Sequence, residues 1–147
     1  MTTTDYPDTV GVLLRATRDF AALAERSAED AGLTLAQMRL LLTLHETGVS
    51  NCSALAARLR VSVSSVTRLV ARPQMVALVA RRHSPANASV VELTLTADGH
   101  ATVDRVTAAR AALFGVALAG MSQARRTALA QGLGAVCDHI AQGAADE

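Results

Sequence analysis

Apolar positions follow helical spacing at both ends of the chain and switch to strict alternation once, near residue 90. Val10, Leu13, Leu14, Phe20, Ala21 and Ala24 outline a first helix that reaches about Ser27 and ends near Ala31-Gly32. Thr34 and Gln37 stand in capping-box spacing ahead of a second helix that carries Met38, Leu40, Leu41, Leu42 and Leu44 and stops at Gly48. So many adjacent leucines imply burial on more than one side. Two short helical patterns follow, with Leu55, Ala56 and Leu59 in the first and Val66, Leu69 and Val70 in the second, joined by a turn of about three or four residues. Ser62 sits at the N-cap position of the second, and Ser65 lies three residues on. Leu78 to Arg82 and Ser89 to Leu95 are strand-like, with Val91, Leu93 and Leu95 alternating and His83 to Ala88 as the loop between them. Thr96 is placed to cap a long helix whose dipole suits Asp98, and Val103, Val106, Leu113, Phe114, Ala117 and Leu118 form its stripe. After Ala119-Gly-Met-Ser122 a last helix carries Leu129, Leu133, Val136, Cys137 and Ile140. The pattern predicts a mainly α fold with one small β-hairpin directly after a helix-turn-helix.

The polar side of the second short helix narrows the function. Ser64, Thr67, Arg68 and Ala71 fall at i, i+3, i+4 and i+7, a face of small side chains around one guanidinium. Short side chains let a helix approach a major groove closely, and arginine makes paired hydrogen bonds to guanine. Ser62, Val63, Ser64, Ser65, Thr67 and Arg68 are therefore the candidate base-facing residues, with Arg58, Arg72, Arg81, Arg82, His83 and Asn87 as flanking contacts. Charge points the same way. The chain is nearly neutral, with 14 basic and 13 acidic residues, yet no Asp or Glu lies between Glu46 and Glu92, an interval that contains Arg58, Arg60, Arg68, Arg72, Arg81 and Arg82. A polyanion docking there would release counterions and meet no repulsion.

These residues carry a resemblance. The run Leu55-Ala-Ala-Arg-Leu-Arg-Val-Ser-Val-Ser-Ser-Val-Thr-Arg-Leu-Val70 resembles, without a gap, the second and third DNA-binding helices of the MarR family of winged-helix transcription regulators. Leu78-Val-Ala-Arg-Arg82 is similar to the family's first wing strand. Leu93-Thr-Leu-Thr-Ala-Asp-Gly99 is similar to its second strand and the entry to the next helix. A looser likeness extends from about residue 10 to residue 142. The resemblance implies a homodimeric repressor or activator on a pseudo-palindromic operator in double-stranded DNA, released by a small, often aromatic or phenolic, effector.

Three departures bear on that expectation. Arg60 stands where the family usually has Gly in the tight turn, which calls for a non-Gly residue at positive φ or a different turn. Pro73 and Ala77 replace the usual Leu and helix-ending Gly, which leaves the end of the recognition helix open. Asn87-Ala88-Ser89 replaces an acidic-Arg-Arg sequence at the wing and removes a guanidinium expected in the minor groove.

A chain of 147 residues, 50% of them apolar, forms one domain with a real core. Its expected parts are dimerisation helices at 8–30 and 97–142, a winged helix-turn-helix at 33–96, and mobile termini at 1–7 and 143–147. The terminal helices expose more apolar stripe than one small winged helix can cover, so pairing with a second copy through Val10, Leu13, Leu14, Leu113, Leu129, Leu133, Val136 and Ile140 is the expected solution. Without a run long enough to span a bilayer or a signal-like N-terminus, the expected location is the cytoplasm. Cys52 and Cys137 fit neither a disulfide framework nor a zinc spacing and are expected to be reduced packing residues, although Cys52 near a helix start is also a candidate thiolate. His45, His83, His100 and His139 are dispersed, no nucleophile motif or glycine-rich phosphate loop is present, and neither catalysis nor a cofactor is expected. His100 and Asp104, spaced i and i+4, with His45 nearby, are the weak candidates for a metal, and a solvated surface is the expected reading. The alternative to the regulator is an interaction dimer of the same fold with weakened or lost DNA binding, favoured by Pro73 and the altered wing.

Overall fold

The computed structural model describes residues 7–143. Seven helices and one hairpin follow in the order α1 (Pro7–Glu29), α2 (Leu35–Thr47), α3 (Cys52–Leu59), α4 (Val63–Val70), α5 (Pro73–Val76), β1 (Val79–His83), β2 (Val91–Leu95), α6 (Ala97–Ala119) and α7 (Gln123–Gly143). The chain divides into two compact units at Ala108/Ala109, the boundary falling inside α6. Pro7 and Gly143, expected in mobile termini, are helical, and the remainder of those termini lies outside the described residues. Among the described residues no helix is long and apolar enough to cross a membrane.

The first unit holds the core. Met38, Leu40, Leu41 and Leu44 of α2, Leu55 and Leu59 of α3, Val66 and Val70 of α4, Met75 of α5, Val79, Leu93 and Leu95 of the hairpin, and Val103 and Val106 of α6 are all buried in one cluster. The leucine-rich α2 is buried on more than one side, as its sequence requires.

The ends of these helices are set by local chemistry. Thr34 and Gln37 form the capping box: the Gln37 amide donates to Thr34 Oγ1 at 3.2 Å and the Thr34 amide to Gln37 Oε1 at 2.8 Å. Asn51 caps α3 by accepting from the Ala54 amide at 2.9 Å, and Ser62 caps α4 by accepting from the Ser65 amide at 3.2 Å. Arg60 takes the left-handed conformation, φ 55° and ψ 49°. Its amide donates to Ala57 O and the Val61 amide to Ala56 O, the paired bonds that close a helix in which the following residue turns left-handed. Of the two possibilities raised by a non-Gly residue in this turn, the chain thus uses the first and keeps the tight turn at the cost of strain.

The C-terminal side of α4 also differs from the family pattern. Arg72 is extended, as a residue before proline must be, and Pro73 occupies the first position of α5, where its missing N–H loses no helical bond. Ala77 remains right-handed at φ −75°, so no glycine is needed there. The recognition helix ends at Val70, and Pro73 starts a new turn instead of distorting the old one.

β1 and β2 pair antiparallel in the register Val79↔Leu95, Arg81↔Leu93 and Arg82↔Glu92. Both strands start later than the alternation suggests, β1 just after Leu78 and β2 at Val91 instead of Ser89. Leu78 closes the α5 turn through its amide to Met75 O, and Ser89 and Val90 belong to a turn made by Asn87. The hairpin is anchored at two points. Ser50 and Leu93 exchange backbone hydrogen bonds of 3.1 and 2.7 Å. Thr96 Oγ1 donates to Ala77 O at 2.7 Å and accepts from the Gly99 amide at 3.0 Å, which joins the end of α5 to the start of α6. Gly99 is buried, and a Cβ there would collide with the Leu78 carbonyl.

The second unit consists of Ala109–Ala119 of α6 and all of α7. Arg126 ties its turn, donating to Leu118 O and to Gln123 Oε1. No residue of α7 is buried.

Two substitutions test this frame. Arg60→Gly should raise unfolding stability by roughly 1 kcal/mol, because glycine accepts the left-handed conformation without a Cβ penalty. Gly99→Ala should lower it by about 1–3 kcal/mol or more, because the obstacle is backbone. Urea titration of both variants reads the two signs, and equal midpoints would contradict the assignment of strain.

Candidate nucleic-acid interface

The face of α4 opposite the core is open. Val66 and Val70 are buried, whereas Val63, Ser64, Thr67 and Arg68 are exposed and Ser65 is half-buried. The hydroxyls on this face satisfy one another. Ser62 Oγ lies 3.0 Å from Ser64 Oγ and 2.8 Å from Ser65 Oγ, Thr67 Oγ1 donates back to Val63 O, and Arg68 Nη2 donates to Ser65 Oγ at 3.3 Å. A ligand on this face therefore exchanges hydrogen bonds with a pre-ordered set and does not meet bare donors. Val61 and Val63 stand exposed at the start of the same helix and offer apolar contact beside these hydroxyls.

The flanking candidates separate into two groups. Arg58 and Arg60 are exposed at the end of α3, and Arg72 is exposed between α4 and α5, all in the segment that leads into or out of the α4 face. On the wing, successive residues point to opposite sides of the hairpin, so Arg81 shares the side of Leu93 while Arg82 shares the side of Glu92. The two arginines therefore do not act as a pair.

Glu92 marks the edge of the acid-free interval in the sequence, and its role in the wing was missed there. It lies directly across from Arg82 and binds it, Nε to Oε2, at 3.0 Å. The Ser84 hydroxyl lowers the pKa of this carboxyl, partial desolvation opposes it, and the hydrogen bond and charge of Arg82 add to the lowering, leaving it below the usual carboxylate range. The spacing from the alternating Leu93 and Leu95 would have placed Glu92 on the outer side, but finding its partner needed the register. His83 Nδ1 lies 2.7 Å from Ala88 O and Asn87 Oδ1 accepts from the Ser89 amide at 3.0 Å, so both side chains expected to reach DNA are engaged in closing the wing tip.

A scan of protein families matches the MarR family model to residues 33–91, which span α2 to the start of β2. The chain is 34% identical over 88 residues to the HTH-type transcriptional repressor MdtR of Bacillus subtilis, a match that spans 60% of this chain and only 57% of that repressor's length. Rv1404 of Mycobacterium tuberculosis superposes with a TM-score of 0.81 at 28% identity, over 94% of this chain and 97% of the other. The chain belongs to the MarR family. A mutant of MepR from S. aureus, solved bound to an oligodeoxyribonucleotide, superposes with a TM-score of 0.68 over 90% of this chain and 97% of that one, and at 15% identity shares the fold alone. The relative and the family are regulators, not enzymes.

The remaining candidates are placed as follows. The rings of His45 and His100 meet edge to face at 5.5 Å, and among the described residues no group of three or more His, Cys, Asp or Glu side chains comes together, Asp104 included. Cys52 is half-buried at the start of α3, Cys137 is exposed on α7, and both are free thiols. Of the apolar residues expected between subunits, Val10 and Leu14 of α1 are exposed, as are Leu113, Leu129 and Ile140 in the second unit, while Leu13, Leu133 and Val136 are half-buried.

The Arg82–Glu92 pair has a definite pH signature. A carboxyl whose pKa is lowered in the folded state adds stability that is complete above the ordinary carboxylate range and is lost as pH falls through the lowered value. The wing pairing should therefore persist through the range in which free glutamates protonate and fail only below it. NMR of the Glu92 carboxyl carbon and the Arg82 Nε proton reads this directly, and a Glu92 that titrates at or above the free value would contradict the pairing.

Proposed function

We propose that this chain is a DNA-binding transcription regulator that acts as a homodimer on a pseudo-palindromic operator. The observation that carries this reading is the exposed face of α4, with Arg68 at its centre, inside an interval from 47 to 91 that holds six arginines and no acid. Arg68 is the proposed base reader, by paired hydrogen bonds to guanine. Val61 and Val63 suit thymine methyls, the Ser62, Ser64, Ser65 and Thr67 hydroxyls suit base edges or phosphate, and Arg58, Arg72 and Arg81 suit phosphate. The description of MdtR as a transcriptional repressor supports the same activity, as does the DNA-bound state of MepR.

The dimer is supported by surface left uncovered. Val12 is 52% exposed and Leu14 63% on α1, while Val116 is 80% and Ile140 65% exposed in the second unit. A 21-residue helix that buries none of its own residues is stabilised only when its apolar side meets another chain. A two-fold pair would present two copies of α4 about one DNA turn apart. A small effector, aromatic or phenolic in the resemblance, completes the proposal. Within the first unit a cleft of about 580 Å³, bounded by Glu29, Leu33, Gln37, Leu69 and Arg72, has room for one.

A second reading, an interaction dimer with weakened DNA binding, is favoured by the wing, where Arg82, His83 and Asn87 are all engaged within the hairpin.

Selection of bound fragments from random duplex DNA tests the regulator, with an enriched inverted repeat as the expected result. On that repeat Arg68→Ala should cost about 1–3 kcal/mol and relax one base position. Arg58→Ala should weaken all sequences alike and flatten the salt dependence by about one counterion. Full affinity in both variants would overturn the groove assignment, and no enrichment would favour the interaction dimer. Leu133→Glu should turn the dimer into monomer or unfolded chain by light scattering, since an unpaired charge would be buried. A wild type that is monomeric at micromolar concentration would contradict the assembly.

A further inference from the structure

We infer that Glu92 sets the strength of DNA binding by this protein, because it holds the Arg82 guanidinium across the wing and so withholds a cation from phosphate. The inference rests on the DNA-binding reading above and adds a residue that weakens it. Three observations carry it. Arg82 and Glu92 are directly opposite in the hairpin register and project from the same side. Their side chains are joined at 3.0 Å while the Arg82 side chain stays 61% exposed, so the guanidinium sits at the surface where phosphate would meet it but is already bonded to a carboxylate. Glu92 is also the single acidic residue between Glu46 and Asp98, so it is the only negative charge on the whole segment.

The wing has few other cations to compensate. Position 88 is Ala, Arg81 projects from the opposite side of the hairpin, and His83 is bonded to the Ala88 carbonyl at the tip. Ser84 also engages the Glu92 carboxyl and keeps it aimed at Arg82. A phosphate approaching Arg82 must compete with a carboxylate held in place by the strands, and it also meets the charge of that carboxylate. An exposed ion pair is weak enough for phosphate to compete, so Glu92 attenuates binding without abolishing it.

Glu92→Gln keeps the shape of the side chain and removes its charge. On one operator fragment it should tighten binding roughly 3- to 10-fold at low salt and steepen the salt dependence by about one counterion. Arg82→Ala alone should change affinity less than twofold. In the Arg82→Ala background, Glu92→Gln should give a clearly smaller gain, since no guanidinium is left to release. Each variant's hairpin is checked by NMR contacts between residues 79 and 95. Unchanged or weaker binding by Glu92→Gln with an intact hairpin would overturn the inference, the weaker result meaning that Glu92 orients Arg82 towards DNA. An equal gain with and without Arg82 would also overturn it, by showing simple charge repulsion. Absence of salt-dependent binding by wild type and variants alike would remove the DNA-binding reading itself, and this inference with it.

Discussion

The turn between α3 and α4 constrains the rest of the winged helix. Arg60 in the left-handed region lets the Arg60 and Val61 amides bond back to Ala57 and Ala56, so α3 stops within one residue and Ser62 is free to start α4. That sharp change of direction is what allows Leu55 and Leu59 on one helix and Val66 and Val70 on the next to enter one core with Leu41 and Leu93. If the turn were slack, α4 could rotate about its axis and its serine, threonine and arginine face would no longer be fixed opposite the buried valines. The backbone strain at Arg60 is the cost of keeping a guanidinium at this point of the surface.

The wing is held by the same economy of backbone groups. Ser50 pairs with Leu93 on one side, and Thr96 spans from the end of α5 to the first turn of α6 on the other. Between these anchors Gly99 lets α6 start directly against the Leu78 carbonyl. The base of the hairpin is thus rigidly placed, and its chemistry is decided farther out, where Arg82, Ser84, His83 and Asn87 each find a partner within the wing. A MarR-family wing with an arginine at its tip would present charge to the minor groove, whereas this one presents a closed loop with an internal ion pair.

What the sequence made legible was chemistry confined to a few residues. Thr34 with Gln37, Ser62 with Ser65, and Thr96 with Gly99 are all contacts between positions three apart, and a helix start fixes their geometry wherever it occurs. The apolar stripes of α2, α3 and α4 were readable for the same reason. Three features were hidden. A four-residue helix such as α5 is too short to show periodicity, so Pro73 reads as a disruption until its position at a helix start is seen. The tie between Arg82 and Glu92 depends on strand register, and a shift of one residue would have put the two on opposite sides. The mutual bonding of Ser62, Ser64 and Ser65 depends on side-chain rotation, so the sequence showed hydroxyls on a face without showing that they are already engaged.

The central claim is that the outer face of α4 meets DNA, and backbone amide NMR of the protein titrated with a duplex carrying its selected inverted repeat tests it most directly. The account predicts that the largest shifts fall on Val61 to Arg68, with smaller ones at Arg58 and along the wing, and that a scrambled duplex at the same salt leaves the Val61 to Arg68 amides nearly unmoved. Shifts confined to α7, or an α4 face that does not respond to the selected duplex, would contradict it.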